Sequence, residues 1–237
     1  MARDGIEVAE YLKRHLGVDK IILVGGSWGS ALGVHMVKRR PDLFHLDVGV
    51  GQLIGEEENQ SSTVARLRGL AEAANDQPTL EALLALGPPP WTNPRNFGIL
   101  RRLTRRYEAL AADAAPPSWW VLDPAYATPS YEAQYEAGED YSYLQFVGAS
   151  GNGLLAAVNV RALGARFEIP VFLVQGADDL VTTHEVARAW FETIEAPRKQ
   201  FVLVQRAGHD PNRASLAAVR AILDRHVDRA QRSSGPN

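Results

Sequence analysis

The 237-residue sequence predicts an α/β fold built on a parallel sheet of about four strands. Three observations carry this. Short apolar runs alternate with helix-patterned segments. The runs are continuous in hydrophobicity, as in strands covered on both faces. A serine-centred glycine turn joins the first run directly to a helix.

In chain order, Gly5 to Leu16 carries Ile6, Val8, Ala9, Leu12 and Leu16 at near-helical spacing, with Gly17 where a C-cap belongs. Lys20 to Val24 predicts the first strand, and Gly25 to Ser30 the turn after it. A helix is expected over Ala31 to Arg40, stopped by Pro41. Phe44 to Val50 predicts the second strand. Residues 171–175 and 200–204 predict the third and fourth, with a helix over Thr183 to Ile194 between them. A last helix is expected from Ala214 to Val227. The polar tail after it should fray.

Between the second and third strands lies a long insert with helical patterning at residues 61–74, 79–86 and 96–112. Pro88-Pro89-Pro90 and Pro116-Pro117 punctuate it. It holds most of the aromatic residues. The expected division is therefore core 1–52, insert 53–168, core 169–228 and tail 229–237.

Composition excludes several classes. Twenty-five Lys and Arg against 28 Asp and Glu leave a net charge of −3, with no electrostatic footprint for nucleic acid. No apolar run is long enough to span a membrane. Cysteine is absent, which removes disulfides, thiolate chemistry and Cys-based zinc sites. The N-terminus lacks the build of a signal peptide, and a cytoplasmic location is expected.

Gly25-x-Ser27-x-Gly29 matches the nucleophile-elbow pattern and stands in the strand–turn–helix context the pattern demands. Such a turn holds the hydroxyl out at the C-terminal end of the sheet. The next helix aims its first N–H groups at the same place, that of Trp28 among them, as an oxyanion donor. A serine needs a base, and the base an orienting acid. His209 follows the fourth strand in a loop at the sheet's C-terminal edge, where catalytic groups gather. His15, His35, His45, His184 and His226 sit in or beside regular elements and fit that role less well. Asp178 and Asp179 follow the third strand; composition does not separate them.

These residues carry a family resemblance. Leu23 to Ser30, the run Pro170 to Asp179 and Ala207-Gly208-His209 are similar to the elbow, acid and histidine segments of α/β-hydrolases of the proline iminopeptidase (prolyl aminopeptidase) branch. The resemblance implies that Ser27, Asp179 and His209 act together, with Asp178 in reserve, and that the insert is a helical cap over a substrate pocket. It implies acyl transfer to water on an ester, amide or N-terminal peptide bond, with a small molecule or short peptide as substrate and no metal or cofactor. An esterase or an inactive fragment are the alternatives. Members of the branch use cap carboxylates to hold the substrate's amino group, which singles out Glu56, Glu57 and Glu58. Trp119, Trp120 and Tyr143 are candidates for the pocket wall, together with Tyr126, Tyr131, Tyr135 and Tyr141.

In the resembled family several strands precede the elbow helix, and a His-Gly-Gly-type loop supplies a second oxyanion N–H. No His-Gly pair occurs here. The chain is therefore expected to lack N-terminal strands, to have an incomplete oxyanion hole and to self-associate through an open edge at the first strand. A competing motif, Gly151-x-Gly153-x-x-Ala156 after Tyr143 to Val147, predicts a dinucleotide-binding turn if a strand precedes it.

Overall fold

The computed structural model describes residues 1–233. In order it runs α1 (Ala2–Leu16), β1 (Ile21–Gly26), α2 (Trp28–Arg39), β2 (Phe44–Val50), α3 (Glu56–Ala73), α4 (Gln77–Leu86), α5 (Pro94–Ala111), α6 (Pro129–Val147), β3 (Val171–Gly176), α7 (His184–Thr193), β4 (Lys199–Val204) and α8 (Arg213–Ser233), with short 3₁₀ turns between. The strands pair in parallel in the order β1-β2-β3-β4. Registers such as Val24 with Val48 and Val174 with Val202 align their C-terminal ends.

Both faces of the sheet are covered. On one face α1, α2 and α7 pack with Phe44, Val171 and Leu173 in a cluster that includes Val34, Trp190 and Phe191. On the other, Val219 and Ile222 of α8 cover Leu46, Val48, Phe172 and Val174. Strands buried this way lose the polar alternation, which is why they read as continuous apolar runs. β1 forms one margin of the sheet, and its Val24 is 46% exposed.

One buried residue breaks the rule. Asp47, at the centre of β2, is 1% exposed, and neither carboxylate oxygen has a hydrogen-bond partner. A Cβ at Gly33 of α2 would lie only 3.2 Å from Asp47 Oδ1, so the helix packs directly over the carboxyl. Burial alone pushes the Asp47 carboxyl up to about 7.

The helices α3 to α6 rise between β2 and β3. Three start the same way. Asp76, Asn93 and Thr128 accept backbone N–H bonds from Thr79, Arg95 and Tyr131, and a proline stands in each first turn. These helix-starting prolines are Pro78, Pro94 and Pro129, whereas Pro88 to Pro90 and Pro116 lie in the joints between helices, as the sequence suggests. Val64, Leu67, Leu83, Leu100 and Tyr107 form this layer's own core. Its neck is narrow: Val160 N–H donates to Ile54 O at 2.9 Å, beside an antiparallel bridge between Gly55 and Asn159.

Three expectations need correction. α6 was not anticipated, because its tyrosines make no apolar stripe and of its residues only Val147 is buried. Residues 143–147 belong to that helix and not to a strand, so the glycines at 151 and 153 open no βαβ unit and the dinucleotide reading falls. α8 runs past residue 228 to Ser233, so the tail begins as helix; positions 234–237 lie outside the described residues.

Candidate active site

The turn between β1 and α2 is as sharp as its glycines suggest. Ser27 has φ 52° and ψ −122°, a left-handed backbone for a residue with a side chain. Such strain costs on the order of 1–3 kcal/mol and persists only where the surroundings impose it. Here Ser27 N–H donates to Val50 O at 2.8 Å, and the Ser30 hydroxyl donates back to Ser27 O while accepting from Leu53 N–H. The turn is thereby tied to the end of β2.

The two motif glycines are not equivalent. A Cβ at Gly25 would lie 2.3 Å from Gly29 O, whereas one at Gly29 meets nothing within 4 Å. Gly25→Ala is therefore expected to force the turn open, costing about 1–3 kcal/mol of stability. Displacing the hydroxyl by about 1 Å should lower any Ser27-dependent turnover on the order of 10²-fold. Urea unfolding and active-site labelling of both alanine variants check this; Gly29→Ala should behave like the parent.

Three loops from the C-terminal edge of the sheet meet at Ser27. Its Oγ lies 2.9 Å from His209 Nε2. His209 Nδ1 lies 3.1 Å from Asp179 Oδ2 and 3.2 Å from Oδ1. Asp179 is 1% exposed and accepts from Val181 N–H, Thr182 N–H and the Thr182 hydroxyl, each at 2.8 Å. Asp178 makes no hydrogen bond to the imidazole; its N–H donates to Ala207 O. Gly176 lets the acid and histidine loops touch, since a Cβ there would fall 2.2 Å from Ala207 O.

The electrostatics follow the geometry. Burial by itself would raise the Asp179 carboxyl. The His209 charge and the hydrogen bonds from His209 and Thr182 outweigh it and hold the carboxyl below its usual range. Burial would lower the His209 imidazole, but attraction to Asp179 and their hydrogen bond leave it raised.

A residue that sequence reading missed braces this pair. Glu108 of α5 accepts from Leu180 N–H at 2.7 Å, and a Cβ placed on Gly208 would meet its side chain at 3.4 Å. Burial raises its carboxyl to about 7, against the Leu180 bond and with help from the Asp179 charge.

Ser27 and His209 open into a cavity of about 210 Å³ between the sheet edge and the α3–α6 layer. Leu53, Phe97, Leu100, Phe146 and Leu155 make its apolar wall. Its polar wall comes from Glu56, Asn59, Gln60 and Thr63 of α3 and from Arg101 and Thr104 of α5. Gln60 Nε2 donates to Glu56 Oε1 at 2.8 Å, leaving Gln60 Oε1 buried and unpaired; Asn59 Nδ2 is likewise unpaired. Burial raises the Glu56 carboxyl, and the Gln60 bond opposes it.

Of the acidic triplet, only Glu56 reaches this cavity. Glu57 is exposed, and Glu58 is paired with Arg161 at 2.6 Å. The expected aromatic wall is also elsewhere. Trp119 is 38% and Trp120 64% exposed, and Trp120 lines a separate hollow beside Glu108 and Gly208. The Tyr143 hydroxyl donates to Pro94 O. Tyr126, Tyr131, Tyr135 and Tyr141 are exposed too. Phe97 and Phe146 supply the aromatic surface instead, with Phe146 edge-on to Trp28. Among the described residues no cluster of His, Cys, Asp or Glu is placed to hold a metal ion, and no helix is long and apolar enough to cross a membrane.

This fold, with a hydroxyl, an imidazole and a carboxylate brought together at one sheet edge, defines a class, and residues 4–212 match the alpha/beta hydrolase fold family. The chain belongs to that family. Its relatives include the "Probable aminopeptidase YbaC" of Bacillus subtilis (strain 168), 24% identical over 95% of this chain and 70% of the relative. The "Probable proline iminopeptidase" of Streptomyces coelicolor A3(2) is 27% identical over 92% of this chain and 68% of its own length. Among solved structures, a proline iminopeptidase of Mycobacterium smegmatis superposes with a TM-score of 0.61 at 15% identity, covering 99% of this chain and 74% of that one.

Proposed function

We propose that this chain is a serine aminopeptidase. The observation that carries the reading is the continuous line from Ser27 Oγ through His209 to a buried Asp179, set at the floor of a cavity whose wall bears an accessible carboxylate, Glu56. The names of the two sequence relatives point the same way.

In this mechanism His209 Nε2 takes the Ser27 proton as the oxygen attacks the scissile carbonyl. Asp179 fixes the imidazole tautomer through Nδ1–H and stabilises the imidazolium that forms. The carbonyl oxygen, now an oxyanion, is met by the Trp28 N–H at the start of α2, a helix that no side chain caps. His209 then returns its proton to the leaving nitrogen, and water releases the acyl group by the same steps. One missing oxyanion donor costs about 2.7–4 kcal/mol in the transition state. The resemblance puts a second donor on a loop of the His-Gly-Gly type, and no His-Gly pair occurs in this sequence.

Glu56 gives the site its amino-terminal preference. Its carboxyl sits in a half-buried position where an ammonium group is a better partner than water, and the buried Gln60 Oε1 beside it is unpaired. Glu56→Gln is expected to lower kcat/KM on aminoacyl anilides with a free amine about 10–100-fold, the worth of one charge-assisted hydrogen bond. The same anilides acetylated on the amine should be poor substrates for the parent protein. Steady-state kinetics on the paired substrates decide this. Equal rates on free and acetylated anilides would leave an acyl hydrolase without aminopeptidase character.

A further inference from the structure

Two helices face each other across the cavity with matched spacing. On α3 the lining residues are Glu56, Asn59, Gln60 and Thr63; on α5 they are Phe97, Leu100, Arg101 and Thr104. Both sets follow the i, i+3, i+4, i+7 pattern of one helical face. The α3 face carries the acid, and the α5 face carries the one cation among the lining residues.

Arg101 stands in the cavity wall, only partly exposed and, among the described residues, without an ion-pair partner. Arg40, Arg66, Arg106, Arg161 and Arg206 each have a carboxylate at ion-pair distance. Among the described residues Arg101 has none. The one side-chain hydrogen bond it makes is a long one, 3.5 Å to Thr104 Oγ1. A guanidinium drawn out of water without a partner is costly, and burial duly depresses its proton affinity. Glu108, Asp210 and Asp179 act on it only through space. All but one of its five donors are therefore available to whatever enters the cavity.

We propose that Arg101 binds the carboxylate of the leaving residue, so that the site selects dipeptides with a free C-terminus. This rests on the aminopeptidase reading for the direction in which the substrate lies. Arg101 is close enough to His209 for its charge to act on the imidazole. His209 is the group that protonates the leaving nitrogen, and in a dipeptide the terminal carboxylate is attached to the carbon next to that nitrogen. With the ammonium at Glu56 on α3 and the scissile carbonyl at Ser27, the carboxylate falls on the α5 side. Opposite charges on opposite walls thus match a zwitterion one peptide bond long. The cavity's volume, about 210 Å³, suits a ligand of that size. A longer peptide would present a neutral amide to Arg101 and leave the guanidinium unpaired.

The test uses the full chain in two arms. In the first, the Ser27→Ala protein is titrated calorimetrically with Pro-Ala, Ala-Ala and Leu-Ala and with their C-terminal amides. The free acids are expected to bind about 10–100-fold more tightly than the amides, as a bidentate charge-assisted contact requires. Adding Arg101→Met should bring that ratio close to one, and Arg101→Lys should restore part of it. Equal affinity for acid and amide, binding of neither, or a ratio that survives Arg101→Met overturns the proposal. Should Arg101→Met not fold, the acid-to-amide ratio of the Ser27→Ala protein alone decides. In the second arm the parent protein is assayed for hydrolysis of the same pairs. Cleavage without preference for the acid rejects the anchor and keeps the aminopeptidase. Arg101-dependent binding of the acids without cleavage rejects the aminopeptidase and keeps the anchor.

Discussion

Ser27→Ala is expected to lower hydrolysis of an aminoacyl anilide by about 10⁴–10⁶-fold, the loss seen when the nucleophile of such a constellation is removed. A fluorophosphonate probe should label the parent at Ser27 and fail to label the variant. Asp179→Asn should cost about 10⁴-fold with the fold intact, because the amide would hold the imidazole in the wrong tautomer. Asp178→Asn should be close to the parent, since its side chain makes no hydrogen bond to the imidazole. The pH profile supplies a further check. His209 must be neutral to act as base, and its proton affinity is raised, so the rate should climb with pH through a midpoint above 6.5. Labelling that persists in Ser27→Ala, or greater damage at Asp178 than at Asp179, would contradict the assignment.

The second large effect concerns stability and lies far from Ser27. The native state keeps Asp47 protonated up to about 7, whereas the unfolded chain releases that proton near 3.8. Between those values the native state binds more protons than the unfolded one, so stability falls as pH rises. The contribution is complete below about pH 4 and lost by about pH 7. Three units at about 1.36 kcal/mol each amount to about 4 kcal/mol. Asp47→Asn keeps the shape and cannot ionise. It should be more stable than the parent by about 2–4 kcal/mol at pH 8 and within about 1 kcal/mol of it at pH 4. Urea unfolding at the two pH values measures the difference. Parallel pH dependence in parent and variant would show that Asp47 does not titrate in this range.

The core elements were legible because physics writes them redundantly. β2 matches its expected range residue for residue, and the other strands differ by one or two positions, since strands covered on both faces are mostly apolar. Ser27, Asp179 and His209 were legible from loops at fixed places in a strand–helix alternation. The cavity wall was not, except for Glu56. Wall residues are chosen by which faces of α3 and α5 meet, and one helix at a time does not reveal its partner. The helix expected from residue 61 begins at Glu56, so Asn59 and Gln60 lay outside the helix legible in the sequence, and Asn and Gln on an exposed helix look the same as Asn and Gln over a cavity. Glu108 and Arg101 were hidden for the same reason: seven positions apart on α5, they read as an ordinary charged helix. The aromatic run from Trp119 to Tyr143 misled because aromatic content signals a wall only when the rings turn inward.

The neck at Ile54 and Val160 bears on how the molecule is made. β2 and β3 lie side by side, yet 120 residues separate Val50 from Val171. Closing a flexible loop of that length costs about 2 kcal/mol more than closing one of a dozen residues, by the logarithmic dependence on length. Once the α3–α6 layer has folded on its own core, the Ile54–Val160 bond holds its two ends together. Only the short stretch from Val160 to Val171 then separates the ends that must meet. The neck thus acts as a clamp: with it closed, a strand pairing distant in sequence becomes a local one, and β3 carries Asp179 to the sheet edge that bears Ser27.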